Sequence, residues 1–420
     1  MTVDANPTKE FFMTMLTRDI SLTSAILDLI DNSIDAARKI GNLSDRIIEL
    51  KIDGTSFSMK DNCGGMPKEV AERYAFKFGR DSNAPSTANS VGRFGVGMKR
   101  AFFKIGNSIK VSSQSALDSF IVSIDAEKWK ESPNWEFDLQ DENLNLDEDG
   151  LQIQVESLHE TVTIDFSDSV YINELIKFIA NAHYKAISDG VRITVNAEPV
   201  PSRDLKIKQS DILGVLGKEY SVRGVMVKII CGIGERDLKA GGWNIFCNGR
   251  LIEGANKTNV TGWGTNGLRA YHTDLAYFRG VVEFSSDKGE LLPWNTTKNG
   301  VDIDNPIYKS VLVEMTRMTK IVAKFLADRA REQEALDKEL ITDAPINKSI
   351  DSAGMVSAFN AIYREVFVRE ELVSIPRNTD KRVSYVVTNE QLELAKEIIG
   401  VNTASEVGRY TFTYFMESES

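Results

Sequence analysis

The sequence predicts a mixed α/β fold divided into two or three domains. Three observations carry this. Segments of helical period and segments of strand period alternate along most of the chain. The length of 420 residues exceeds what one core usually organises. Hydrophobic residues make up 42% and charged residues 26%, an ordinary balance for a soluble globular protein.

Residues 20–40 form the first clear element. Leu22, Ile26, Leu29, Ile30, Ile34 and Ala37 recur at helical spacing, Ser21 or Thr23 supplies a cap, and Gly41 supplies a stop. Ile47–Ile52 alternates as a strand and Thr55–Met59 as another, followed by a turn-rich loop at Lys60–Pro67 and a short helix at Glu69–Lys77. Gly79–Gly97 is rich in Gly, Ser and Asn without periodicity, and a loop that long reads as functional. A helix at Met98–Ile105 follows. Strands at Ser108–Ser113, Phe120–Ile124, Leu151–Val155 and Thr161–Phe166 complete a first domain over 1–168, with the acidic stretch Glu136–Asp149 as a solvated loop. A second domain, 169–305, holds a helix at Val170–Ser188 and strands at Val191–Val195, Tyr220–Cys231, Gly242–Cys247 and Tyr277–Phe284. A long helix over 306–340, a linker over 341–355 and a C-terminal module over 356–420 finish the chain.

Composition narrows the function. A net charge of −11 argues against a broadly basic nucleic-acid surface and leaves only a local basic groove open. Cys63, Cys231 and Cys247 form neither a metal-binding pair nor an even disulfide set, which fits a reducing compartment. His159, His183 and His272 lack the spacing of zinc ligands. No apolar run approaches the ~20 residues of a membrane span, and MTVDANPTKEFF has no leader pattern. The expectation is a cytoplasmic chain with no membrane partner.

Three segments carry chemistry. In ILDLIDNSIDAA, Asp28, Asn32 and Asp35 sit at i, i+4 and i+7 on one helix face. A carboxylate there can orient a water, and a carboxamide one turn away offers the hard oxygen that Mg²⁺ prefers. In KDNCGGMP, Asp61 ends a strand before two glycines, which suits close approach of a flat ligand with an exocyclic amine. In SVGRFGVGMKRAFFKIG, Gly92, Gly95 and Gly97 lead into a helix start, a natural nest for phosphate, and Lys99 adds a positive charge. Each segment alone also fits a plain solvated face or turn.

In this order the segments D-x-x-x-N-x-x-D-A, D-N-x-G-G-M and G-x-x-G-x-G resemble the motif series of the gyrase, heat-shock chaperone, histidine kinase and MutL (GHKL) superfamily. Within it, GWNIFCNGRLI (242–252) and FRGVVEFSSDKGELLPWNTTKNGVD (278–302) are similar to the transducer domain of MORC proteins and their bacterial relatives. The resemblance spans residues 20–305. It implies a Bergerat-type α/β sandwich ATP-binding domain, a transducer-like α/β domain and a small C-terminal helical module. It further implies ATP as ligand, Mg²⁺ as cofactor and a homodimer. By resemblance, Asn32 holds the metal, Asp28 stands at the water-activating carboxylate, and Asp61 binds the adenine amine. Gly65 and Met66 line the base pocket, Gly92, Gly95 and Gly97 wrap the triphosphate, and Lys99 sits near it. Thr161 stands at the family's Gly-Thr element, and Lys298 at the transducer lysine that reaches the terminal phosphate. The chain departs from the family in having Asp28 for Glu, Cys63 for a glycine and Glu160 for the glycine before Thr161. An aspartate reaches roughly 1.5 Å less far than a glutamate, which predicts slow hydrolysis.

The C-terminal module reads as a strand at Arg382–Val387 and helices at Asn389–Ile399 and Ser405–Met416, with Ser405 or Thr403 capping the last. That order resembles a ribbon-helix-helix module, which implies dimerisation, docking to a partner protein or DNA binding. Three functions follow: a Mg²⁺-dependent ATPase acting as an ATP-gated switch or clamp, a nucleotide sensor that does not hydrolyse, and a DNA-binding regulator.

Overall fold

The structure, a computed structural model, describes residues 7–79, 90–91, 95–144, 146–295, 297–375 and 383–419. It divides into two units, Met1–Val373 and Ser374–Ser420. Gly92 and the greater part of the glycine-rich loop lie outside the described residues.

The first unit contains two large sheets. The N-terminal sheet is built from β1 (Ile47–Ile52), β2 (Phe57–Asp61), β3 (Gly106–Gln114), β4 (Ser119–Asp125), β5 (Asp138–Asp141), β6 (Gly150–Leu158), β7 (Arg192–Val195) and β8 (Glu198–Pro199). Its order is β5-β4-β3-β6-β2-β1-β7-β8, antiparallel apart from the β1–β7 pair. Buried Ile48, Leu50, Val111, Ile153 and Val155 alternate with exposed Glu49, Lys51, Lys110 and Gln154. A strand with period two buries one face only. Helices cover that face: α1 (Lys9–Arg18), α2 (Leu22–Ile40), α4 (Gly97–Ile105), α5 (Ala126–Glu131), α6 (Glu160–Ser167) and α7 (Ser169–Ala182) pack into a single core with it, and the short α3 (Lys68–Val70) leads to Ala71, which joins that core. The arrangement is an α/β sandwich.

Two expectations change here. Thr161–Phe166 is helical. Val162 and Phe166 are buried while Ile164 is 63% exposed, so the apolar residues that matter are spaced by four rather than two. The first sheet also reaches past residue 168. After α7 and α8 (Tyr184–Ser188), β7 returns parallel to β1 and pairs with β8, so both strands belong to that sheet.

The second sheet is assembled from β10 (Val215–Val222), β11 (Val225–Ile233), β12 (Gly242–Cys247), β13 (Arg250–Asn256), β14 (Phe278–Ser285) and β16 (Tyr363–Arg364), in the order β13-β12-β14-β11-β10-β16. A small ribbon pairs β9 (Lys206–Gln209) with β15 (Gly354–Ser357). All six residues of β12 are buried, the mark of a strand covered on both faces. One face packs on α9 (Pro306–Asp337), where Trp243 Nε1 donates to Thr319 Oγ1 at 3.1 Å. Tyr184, Phe246 and Phe359 pack on the other. The segment 341–355, expected as a linker, contains the helix α10 (Pro345–Ser352), whose first amides donate to buried Glu332.

In the second unit, α11 (Asn389–Ile399) and α12 (Ala404–Ser418) each begin with a capping box, on Thr388 and Thr403. The expected strand at Arg382–Val387 is not formed: residues 383–387 pair with no strand among the described residues, and Arg382 lies outside them. The unit is a helical hairpin starting at 374 rather than 356, because residues 354–364 supply two strands to the first unit.

Candidate functional site

The site is organised by α2. Ser21 caps its first turn, its side chain accepting from Ser24 N at 3.1 Å, and Gly41 ends it in the left-handed region at φ 89°. The apolar stripe fixes the helix against the sheet, which turns Asp28, Asp31 and Ser33 inward. Asp28 is 3% exposed. Its Oδ1 accepts from Lys298 Nζ at 2.9 Å and its Oδ2 from Arg100 Nη2 at 2.6 Å. Two residues distant in sequence, Asp28 and Lys298, are thus brought into direct contact. Lys298 sits at φ 53°, in a loop closed by the Trp294–Val301 bridge. Burial works against its charge, but Asp28 and Asp31 outweigh it and raise its pKa.

Asp31, which sequence reasoning did not single out, is the second carboxylate. Its Oδ2 accepts from Lys298 at 2.8 Å, and Arg250 Nε and His183 Nδ1 lie 3.1 and 3.6 Å from its Oδ1. Burial opposes its charge, but Lys298, Arg250 and His183 hold its pKa below the usual carboxylate range. Burial, assisted by Arg250, pushes the His183 pKa down to about 3, so the imidazole is neutral. Asn32, one turn after Asp28, is half-buried, and its side chain has no hydrogen-bond partner among the described residues. Asp35 engages a different segment: its carboxylate accepts from Ser90 Oγ at 2.7 Å and Val91 N at 2.8 Å, pinning the chain just before the glycine turn.

Asp61 ends β2 beside α2. It accepts from Ser33 Oγ at 2.5 Å, Cys63 N at 2.9 Å and Leu151 N at 3.2 Å, and burial raises its pKa. The backbone around it leaves no room for side chains. A Cβ on Gly65 would meet the Gln114 carbonyl, and one on Gly150 the Asp61 carbonyl. Met66 is tied by its amide to Ser113 Oγ at 2.7 Å. Cys63 is 2% exposed, and burial pushes its thiol pKa far up, so it packs and does not react.

The glycine turn runs into α4. An ideal Cβ on Gly97 would lie 3.2 Å from Asp28 Oδ2, so a side chain at this position would press on the carboxylate. Lys99 points away from Asp28 and Asp61. Its ammonium donates to the Ala75 and Gly95 carbonyls at 2.7 and 2.5 Å, and burial pushes its pKa down to about 8. Thr161 is exposed on the first turn of α6. The side chain facing Asp61 from α2 is Ser33, and β6 presents the Leu151 amide there. The signals for Arg100, Arg250 and Ser33 were present: a cation after the glycines, one after an Asn-Gly turn, and a hydroxyl beside Asn32. Only their distances from Asp28, Asp31 and Asp61 give them meaning.

Residues 20–158 match the family model described as Histidine kinase-, DNA gyrase B-, and HSP90-like ATPase. The match begins just before α2 and ends with β6, so it contains Asp28, Asn32, Asp61, Gly97 and Arg100. No curated protein matches the sequence.

Proposed function

We propose, from the premise that residues 20–158 are a GHKL-type ATPase domain, that this chain binds Mg-ATP and hydrolyses it slowly as an ATP-gated, MORC-like dimeric switch. The observation that carries this reading is the ion pair of Lys298 with Asp28, which joins the second sheet's lysine loop to the helix that opens the ATPase domain. In this reading Asp61 holds the adenine amine, with Ser33 beside it. Gly65 and Met66 line the base, and Gly92, Gly95 and Gly97 wrap the phosphates. Asp28 orients the attacking water, and Lys298 meets the terminal phosphate. Lys99 serves the loop rather than the phosphates, because its ammonium is committed to two carbonyls.

The residues fit Mg²⁺ held by one protein oxygen. Among the described residues, the Asn32 carboxamide has no hydrogen-bond partner and no group of three or more His, Cys, Asp or Glu forms a cage. Mg²⁺ is commonly held through one or two protein oxygens plus substrate phosphates. When bound, the ion neutralises phosphate charge. Asp28 is clamped by two cations, so both of its oxygens are already engaged. That favours slow turnover, and makes the non-hydrolysing sensor the second reading. Sedimentation of the full chain with a non-hydrolysable ATP analogue, together with a phosphate-release assay, tests both. Dimerisation with the analogue and measurable release support the switch. Dimerisation without release supports the sensor, and neither response overturns both.

A further inference from the structure

The polar atoms where α2 meets the second sheet are incompletely paired. Asp31 is 1% exposed, and its Oδ2 is bonded to Lys298. Its Oδ1 accepts no hydrogen bond, although Arg250 Nε and His183 Nδ1 approach within 3.1 and 3.6 Å. Arg250 Nε and His183 Nε2 are likewise buried without a hydrogen bond. Buried polar atoms in folded proteins are almost always paired. Here an acceptor and a cationic donor face each other across the seam with the bond left open. A second arrangement, in which it closes, is within a side-chain rotation.

The neighbouring geometry says which partner moves. Lys298 is a non-glycine residue at φ 53°, a backbone conformation that persists only where the surroundings hold it. Arg250 is anchored. It follows the Asn248–Gly249 turn, whose Asn248 carbonyl accepts from Arg38 of α2 at 3.0 Å. Burial keeps His183 neutral, so Arg250 is the cation placed to take the carboxylate.

We propose that Asp31 is a positioning residue: it holds Lys298 beside Asp28, and its carboxylate passes to Arg250 when the lysine leaves for an anionic phosphate. The exchange leaves Asp31 with Arg250, the second of the two cations already beside it. It draws the β12–β13 hairpin onto α2, so a terminal phosphate is registered in the second sheet. This inference rests on the reading of the chain as ATP-binding.

The test uses the full chain with Mg²⁺ and compares affinity for ADP with affinity for a non-hydrolysable ATP analogue. Wild type is expected to prefer the analogue. Asp31→Glu keeps the charge but displaces it, and Arg250→Gln leaves the Lys298 contact intact; circular dichroism and urea melts check that each variant is folded. Each is expected to keep ADP affinity within about threefold and to lose most of the analogue preference, at least about fivefold. Asp31→Glu also lowers kcat about tenfold without a matching rise in KM. Variants that retain the full preference overturn the proposal. So does an equal loss of ADP and analogue affinity, which marks a purely structural role. A wild-type chain that binds neither nucleotide overturns the ATP-binding reading itself, a result distinct from both.

Discussion

Asp28 shows how much one side chain carries. Both oxygens are held by buried cations, from α4 and from the lysine loop. Removing it leaves Arg100 and Lys298 buried without that partner. Asp28→Ala is expected to cost about 3–5 kcal/mol in urea unfolding. It should lower phosphate release about 10²-fold or more while ADP still binds. Asp28→Glu would install the residue expected from the resemblance, but both carboxylate oxygens are already held by Arg100 and Lys298. Fitting the added methylene between them should cost about 1–3 kcal/mol and leave turnover no faster. His183 governs a different response. Its pKa falls from an ordinary value near 6.5 to about 3 on folding, so the unfolded chain binds more protons between those values. Its contribution is complete above pH 6.5 and is lost as pH falls toward 3. Urea melts should show wild type losing about 2 kcal/mol more than His183→Gln between pH 7 and pH 5.

At the scale of elements, the β12–β13 hairpin is the joint between the two sheets. Asn248 lies at φ 48°, and its side chain donates to the Ser90 and Ser286 carbonyls and accepts from Ser286 N. Asn248→Ala should cost about 2–3 kcal/mol, through strained backbone and lost buried hydrogen bonds, read by thermal unfolding. It should also weaken nucleotide binding, because Ser90 leads into the glycine turn. Helix α2 was legible from its stripe, its serine cap and its terminal glycine, all local signals. The segment after β6 was not. Val162, Ile164 and Phe166 alternate like a strand, and only the exposure of Ile164 shows that a helix forms. Likewise, nothing local says that β7 crosses back to pair with β1.

Across the whole first unit, the site is composite. Asp28, Asp31 and Arg100 come from the first sheet's helices, and Arg250 and Lys298 from the second sheet and the loop after it. A ligand that draws Lys298 away should alter the seam throughout. Amide exchange at residues 247–251 is expected to slow with a non-hydrolysable ATP analogue and to change little with ADP. Equal protection by both nucleotides would argue against coupling through the terminal phosphate. The second unit stands apart in character. Val407 is the one buried side chain among its described residues, while Ile398, Tyr410, Phe412 and Phe415 are exposed, so capping boxes and helical backbone bonds support it locally.

By itself, the sequence determined the α/β class, the course of α2 and the Asp61 strand end, because caps, glycines and periodicity act within a few residues of one another. It also carried the ATP reading through the order of those segments. The tertiary structure alone decided which charges meet. Arg250, Arg100 and Lys298 converge on two carboxylates of one helix turn, and Lys99 and Thr161 are carried away from them. The reason is physical: ion pairing depends on distance through a folded core, and sequence separation holds no record of that distance.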